Sequence, residues 1–306
     1  MTTRRDTLIG ALLALAAGSI GSKRARAQAG SRRYDVSLAN KTALVTGSTD
    51  GLGREVALRL GALGASVIVH GRNRERGEAV ASEIRRGPGD AVFYRADLAS
   101  LDEVQGLAAT VRDNHSRLDL LINNAGIIAD PQGPRRTNAE GHELTFAINY
   151  LAPFALTQEL LPLLERSAPA RIVNVASVGQ APVNFDDVMM SEDYAAMRAY
   201  SQSKLALIMF TVSLAERLDP DAVTVNSLHP ATFMDTNMVE VIGAQPMSTV
   251  AEGADAVMQL AVSPSLAGRT GLYFNGLEEA RANAQAYDAA ARDRLWALSE
   301  ALTGGV

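Results

Sequence analysis

The stretch Thr46-Gly47-Ser48-Thr49-Asp50-Gly51-Leu52-Gly53 constrains this chain more than any other. The β-prone run Thr42-Ala43-Leu44-Val45 breaks into glycines spaced Gly-x-x-x-Gly-x-Gly, and a helical pattern from Glu55 to Leu60 follows at once. Glycine is needed where a chain turns tightly and its backbone comes close to a ligand. A helix opening after such a turn presents unpaired N–H groups and the positive end of its dipole, which suits a pyrophosphate. The eight residues therefore read as one wall of a dinucleotide site. A P-loop would close on Gly-Lys-Ser/Thr, whereas this turn closes on Gly53-Arg54-Glu55. Similar turns also occur for structural reasons alone, so the rest of the chain decides.

Strand-like runs recur at Thr42–Val45, Ser66–Val69, Ala91–Tyr94, Leu118–Ile122, Arg171–Val175, Val223–Ser227 and Leu272–Phe274. Helical patterns lie between them near 52–63, 74–86, 100–115, 139–165, 195–218 and 249–262. Near-continuous Val/Ile/Leu strands separated by helices indicate parallel strands covered on both faces. Right-handed crossovers then give an α/β fold, a Rossmann-type doubly wound sheet of seven mostly parallel strands, with the ligand crevice at their carboxyl ends. The tail from Glu278 to Leu302 reads as one further amphipathic helix, with Leu295, Trp296 and Leu298 as its inner contacts.

The chain has 306 residues, 47% of them hydrophobic and 21% charged, as expected for one domain with a large core. It has no cysteine, which excludes disulfides and thiolate metal sites. A net charge of -5 argues against nucleic acid as a partner. The first residues read differently from the rest. Arg4-Arg5 precedes an apolar run from Leu8 to Ile20, and Ala25-Arg26-Ala27 offers a small-x-small cleavage site. This is the pattern of a signal peptide over residues 1–27, and the run is too short to span a bilayer. The paired arginines resemble a twin-arginine leader, so export to the periplasm by that machinery is expected, with a cytoplasmic enzyme as the alternative. The fold would then occupy residues 28–306.

The end of the second strand speaks to the cofactor. An NAD site usually has Asp or Glu there, accepting from the adenosine ribose. Here the segment is Val69-His70-Gly71-Arg72-Asn73-Arg74, with no acid in it. Arginine can hold a 2′-phosphate bidentately, so Arg72 with Asn73 favours NADP(H) over NAD(H). Asp97-Leu98, after the third strand, suits an adenine contact or a helix cap. Asn123-Asn124-Ala125-Gly126 follows the fourth strand, where small residues let the chain pass close to a cofactor.

Chemistry falls on two later segments. Ser177 ends the fifth strand, so its hydroxyl faces the crevice. Tyr200 and Lys204 lie four apart on a helical pattern and share one face. A free tyrosine titrates near ~10, and a neighbouring ammonium lowers that value, which makes the phenol a usable acid/base. Tyr194, with Arg198 four residues on, is a second such pair, but it follows an acidic, loop-like segment.

Taken together, Thr46-Gly47-x3-Gly51-x-Gly53, Asn123-Asn124-Ala125-Gly126, Asn149, Ser177, Tyr200-x3-Lys204 and Pro230 resemble the short-chain dehydrogenases/reductases over nearly all of residues 38–276. The likeness is to the branch of retinol dehydrogenases and WW-domain oxidoreductases, through Val183-Asn184-Phe185-Asp186-Asp187, the segment around Tyr200, and Tyr273-Phe274-Asn275-Gly276. It implies that Tyr200 is the acid/base, that Ser177 orients the substrate oxygen, and that Lys204 tunes Tyr200 and holds the nicotinamide ribose. It also implies that Asn149 keeps a water in a proton relay, and that Pro230 and Thr232 contact the nicotinamide side. Two departures stand out. Asp50 occupies a position that is basic in many NADP-using members, and the usual Pro-Gly reads Pro230-Ala231.

The expected activity is hydride exchange between nicotinamide and a carbonyl/alcohol pair. A catalytically silent cofactor-binding protein of the same fold is the alternative. A serine hydrolase is disfavoured because Val175 stands where a nucleophile elbow has glycine. Metal catalysis is disfavoured because His70, His115, His142 and His229 are scattered. Residues 231–250 carry Phe233, Met234, Met238, Val239, Val241, Ile242 and Met247, which suit a lid over a hydrophobic small molecule. The same side chains could instead pack a core or a contact between copies of the chain in a homo-oligomer.

Overall fold

The computed structural model describes residues 36–304, and the leader expected over residues 1–27 lies outside the described residues. One sheet is built from β1 (Thr42–Val45), β2 (Ser66–Gly71), β3 (Asp90–Arg95), β4 (Leu120–Asn123), β5 (Ala170–Val175), β6 (Val223–His229), β7 (Tyr273–Asn275) and β8 (Glu278–Ala280). Its order is β3-β2-β1-β4-β5-β6-β7-β8, parallel throughout except for the β7–β8 pair. Every residue of β1, β4 and β6 is buried, as central strands covered on both faces require, and polar residues among them, such as Asn226 in β6, are hydrogen-bonded.

Helices cover both faces. On one lie α1 (Gly51–Ala62), α2 (Arg74–Ile84) and, later in the chain, α8 (Val250–Val262). On the other, α3 (Leu101–Asn114), α5 (Ala152–Arg166) and α6 (Ala196–Ala215) enclose the main apolar cluster, around Leu44, Leu121, Phe154 and Phe210. A short helix, α4 (Leu144–Phe146), runs through a π-helical turn, Ala147–Leu151, into α5. The helix expected from residue 139 therefore starts at Leu144. Its cap explains the start, because the buried Glu143 carboxylate accepts from the N–H groups of Thr145 (3.0 Å) and Phe146 (2.7 Å). Among the described residues no helix is long and apolar enough to cross a membrane.

The sheet has eight strands rather than seven. Gly276 adopts φ 61° and donates its N–H to the His229 carbonyl at 2.8 Å. This turns the chain back so that Asn275 pairs with Glu278 and Tyr273 with Ala280. The tail is consequently not one helix. After β8 comes a 3-10 turn, Ala284–Tyr287, and then α9 (Ala289–Thr303). α9 buries Leu295 and half-buries Trp296 and Leu298 against the cluster. The Trp296 ring meets Phe154 at 5.3 Å and Phe210 at 5.9 Å, with the Arg217 guanidinium 4.0 Å from its centre.

Candidate active site

The strand order reverses between β1 and β4, and at such a reversal the loops part and leave a crevice. The glycine turn ends β1 there. Gly47 and Gly51 take φ 65° and 51°, the left-handed region that glycine enters without strain. Gly53 is needed for a different reason. A Cβ on it would lie 2.3 Å from the Gly47 carbonyl oxygen and 2.4 Å from Asn124 Nδ2. The first backbone bond of α1 is Arg54 N–H to the Asp50 carbonyl at 3.2 Å, so the N–H groups of Leu52 and Gly53 precede it at the helix's positive end. These open donors beside a surface without side chains fit a dinucleotide pyrophosphate.

Thr46 joins the turn to β4. Its Oγ1 accepts from the N–H groups of Asn124 and Ala125, each at 3.0 Å. Asn124 Nδ2 returns a bond to the Thr46 carbonyl at 2.9 Å. Ser48 Oγ donates to the Val45 carbonyl at 2.7 Å and holds the turn from beneath. Asn123 points elsewhere: its amide donates to Thr157 Oγ1 (3.0 Å) and Asn174 Oδ1 (2.8 Å) inside the core. Only its backbone borders the crevice. Gly126 keeps open the space between Asn149 and Lys204, since a Cβ there would sit 3.2 Å from both Asn149 Oδ1 and Lys204 Nζ.

Asp50 caps α1, accepting from Gly51 N–H at 2.8 Å, and also meets Arg76 at 3.4 Å and Asn237 Nδ2 at 3.2 Å. At the end of β2, the Arg72 side chain is 68% exposed and only loosely paired with Asp97, at 3.9 Å. Asn73 caps α2, accepting from Arg76 N–H at 2.9 Å. Asp97 Oδ1 accepts from Ala99 N–H at 3.1 Å, while Ser100 is the cap of α3, and Leu98 is buried in the core.

On the far side, Ser177 leaves β5 buried, its Oγ accepting from Gly179 N–H at 3.0 Å. The Tyr200 hydroxyl lies near enough to Ser177 for the serine to favour its phenolate. One turn on, the buried Lys204 donates to the Val175 carbonyl at 2.8 Å, with its Nζ 5.7 Å from the centre of the Tyr200 ring. Burial pushes Tyr200 above its ordinary value, opposed by Ser177, and pulls Lys204 down to about 8. The depression of Tyr200 expected from a neighbouring ammonium is not found: desolvation of the phenolate raises the group, and only Ser177 acts against it. Tyr194 lies outside α6, with burial and the Glu143 carboxylate raising it.

Asn149 sits fully buried in the π-helical turn, a distortion that often accompanies functional sites. Its amide is spent on Ile127, accepting from the N–H at 2.8 Å and donating to the carbonyl at 2.9 Å, and on Ser203 Oγ at 3.0 Å. Pro230 is buried beyond β6, and Thr232 Oγ1 lies 3.1 Å from His229 Nε2. The expected lid, which includes the short helix α7 (Asn237–Val241), divides in two. Val239 and Ile242 are buried, and Met234 Sδ lies 2.3 Å from the position a Cβ on Gly253 would take, so these side chains pack the loop down. Val241 and Met247 are 49% and 40% exposed.

Two contributors to the site went unread in the sequence. Tyr273 Oη and Gln180 Nε2 both donate to the Ser177 carbonyl at 3.0 Å, and Asn283 N–H holds Gln180 Oε1 at 2.7 Å. Nothing local in Tyr273-Phe274 announces this, because the contact spans 96 residues. Among the described residues no three His, Asp or Glu side chains are grouped to hold a metal ion.

Known proteins share this fold. The short chain dehydrogenase family matches residues 41–246. Retinol dehydrogenase 14 of Homo sapiens is 38% identical over 294 residues, covering 86% of each chain. Retinol dehydrogenase 13 of Homo sapiens is 36% identical over 287 residues, covering 86% of this chain and 85% of its own. A crystal structure of a protein from Mycobacterium paratuberculosis superposes with a TM-score of 0.71 at 30% identity, over 88% of this chain and 95% of that one. A short chain dehydrogenase of Shigella flexneri complexed with NADP does so at 0.65 and 30%, over 78% and 98%. Family match, relatives and fold converge, and the chain belongs to the short-chain dehydrogenases/reductases, as an NAD(P)-dependent oxidoreductase.

Proposed function

We propose that this protein exchanges a hydride between NADP(H) and the carbonyl/alcohol group of a hydrophobic small molecule, with Tyr200 as the acid/base. The observation that carries this reading is the juxtaposition of Ser177, Tyr200 and, one turn on, buried Lys204, whose Nζ borders the space kept by Gly126. The residues of the glycine turn and Lys204 would hold the cofactor, whose nicotinamide would supply or accept the hydride at the carbonyl carbon. Tyr200 gives its proton to the carbonyl oxygen in reduction and takes it back in oxidation. Ser177 hydrogen-bonds the same oxygen and fixes its approach. Lys204 carries positive charge toward the developing phenolate, which favours that proton transfer. The Asn149 side chain is committed to Ile127 and Ser203, so any water of the relay would rest on its backbone carbonyl.

Arg72 supports NADP over NAD, being exposed and weakly paired at the end of an acid-free strand terminus. Two solved relatives are described as NADP complexes. The exposed Val241 and Met247 on the lid, and the retinol dehydrogenases among the relatives, support an apolar alcohol or aldehyde as substrate. The test is a cofactor titration followed by a screen of apolar aldehydes and alcohols. Arg72→Glu is expected to weaken NADPH binding by tenfold or more, roughly the loss of one charge-assisted phosphate contact, while NADH changes little. Unchanged NADPH affinity would remove Arg72 from the site. Tight NADPH binding with no turnover on any carbonyl would favour the catalytically silent alternative.

A further inference from the structure

We infer that His70 is a positioning residue for the cofactor: its imidazole accepts a hydrogen bond from the glycine turn and fixes the backbone on which the dinucleotide rests. The ring lies near the end of β2 and is 2% exposed. Its Nδ1 accepts from the Gly47 N–H at 3.1 Å. The main chain of the same residue grips the next position, since Ser48 N–H donates to the His70 carbonyl at 2.9 Å and His70 N–H to Ser48 Oγ at 3.0 Å. One residue thus holds both Gly47 and Ser48. The side chain supplies the bond to Gly47, the residue that the turn forces to φ 65°.

Accepting at Nδ1 requires a neutral ring with its proton on Nε2. Burial keeps it neutral, although Asp97 and the Ala96 backbone favour protonation. The Nε2 atom is buried and has no partner at full hydrogen-bond distance, the Ala96 backbone drawing on the ring only weakly. An apolar side chain of similar size would fill that space without stranding a polar atom, so packing alone does not account for a histidine here. The bond to Gly47 does. It commits this N–H within the protein and sets the direction of the turn, leaving the donors of Leu52 and Gly53 for the ligand.

The inference rests on the cofactor lying at the glycine turn, and its test reads binding rather than turnover. NADPH affinity is measured by fluorescence titration for the wild type, His70→Leu, His70→Asn and His70→Gln, each with a thermal melt. Asparagine places an acceptor where Nδ1 stands, whereas glutamine places it near the Nε2 position. His70→Leu is expected to keep its melting temperature and lose about three- to tenfold in NADPH affinity, and His70→Asn to stay within about twofold of wild type. His70→Gln should resemble the leucine variant. Wild-type affinity in a folded His70→Leu would overturn the role. If that variant does not fold, the two amides decide: equal affinity in His70→Asn and His70→Gln overturns it, and a gap between them supports it.

Discussion

Burial moves the two ionisable groups of the active site in opposite directions, Tyr200 up and Lys204 down to about 8. Both shifts favour neutral forms, so the phenol keeps its proton until a substrate oxygen can receive it. Tyr200→Phe keeps the ring and deletes only that proton. It is expected to lower turnover by about a hundredfold to ten-thousandfold while leaving NADPH binding near wild type. Lys204→Met should lose turnover and also cofactor affinity, because the position opposite Gly126 then lacks its donor. Steady-state rates beside a binding titration check both, and a Tyr200→Phe enzyme with near-normal turnover would displace Tyr200 as acid/base. Ser177, Tyr200 and Lys204 could be picked out as candidates from local pattern, a strand-end serine and a Tyr-x-x-x-Lys face, while Asn149 came only from the family resemblance. Their environments could not be read that way. That Asn123 turns into the core, or that Tyr273 braces Ser177, depends on which strands lie side by side.

At the scale of elements, two glycines separate steric need from conformational convenience. Gly53 in α1 has backbone and amide atoms within 2.4 Å of a new Cβ, and neither the Gly47 carbonyl nor Asn124 can yield without distorting the turn. Gly106 in α3 is exposed with nothing within 4 Å. Thermal or urea denaturation should find Gly53→Ala destabilised by about 1–3 kcal/mol through overpacking. Gly106→Ala should be stabilised by about 0.5–1 kcal/mol through helix propensity. Equal effects at the two positions would mean that the turn is looser than its contacts indicate. The β1–turn–α1 unit could be read from sequence because each step is local: an apolar run, glycines, then a helical period. The carboxyl-terminal tail misled for the opposite reason. Its helical pattern is real in α9, but the three residues of β8 are strand only because Gly276 turns them onto β7.

Across the whole molecule, two buried histidines tie stability to pH. Desolvation pulls His70 and His229 from 6.5 to about 4 in the folded chain. Unfolded, both would titrate near their ordinary value. Between those values the unfolded chain binds protons that the folded chain refuses, so stability rises with pH and is lost on acidification from about 6.5 toward 4. With both contributing, the slope approaches about 2.7 kcal/mol per pH unit. Urea midpoints at pH 7.5, 6.0 and 5.0 should fall progressively, and a flat profile would mean that one or both rings are solvated. The doubly wound architecture was readable because strand and helix periods alternate along the chain. The acid sensitivity was not, since the sequence shows four histidines without saying which are buried.

The sheet has two free margins, β3 and β8. β8 ends the sheet with Glu278 and Glu279, both exposed, and Glu279 is bonded to Arg269 at 2.5 Å. β3 carries exposed Asp90 and Arg95 at its two ends. Placing charge on a margin strand makes it a poor template for a foreign strand. A strand from another copy therefore meets charge at either margin, which disfavours joining sheet to sheet.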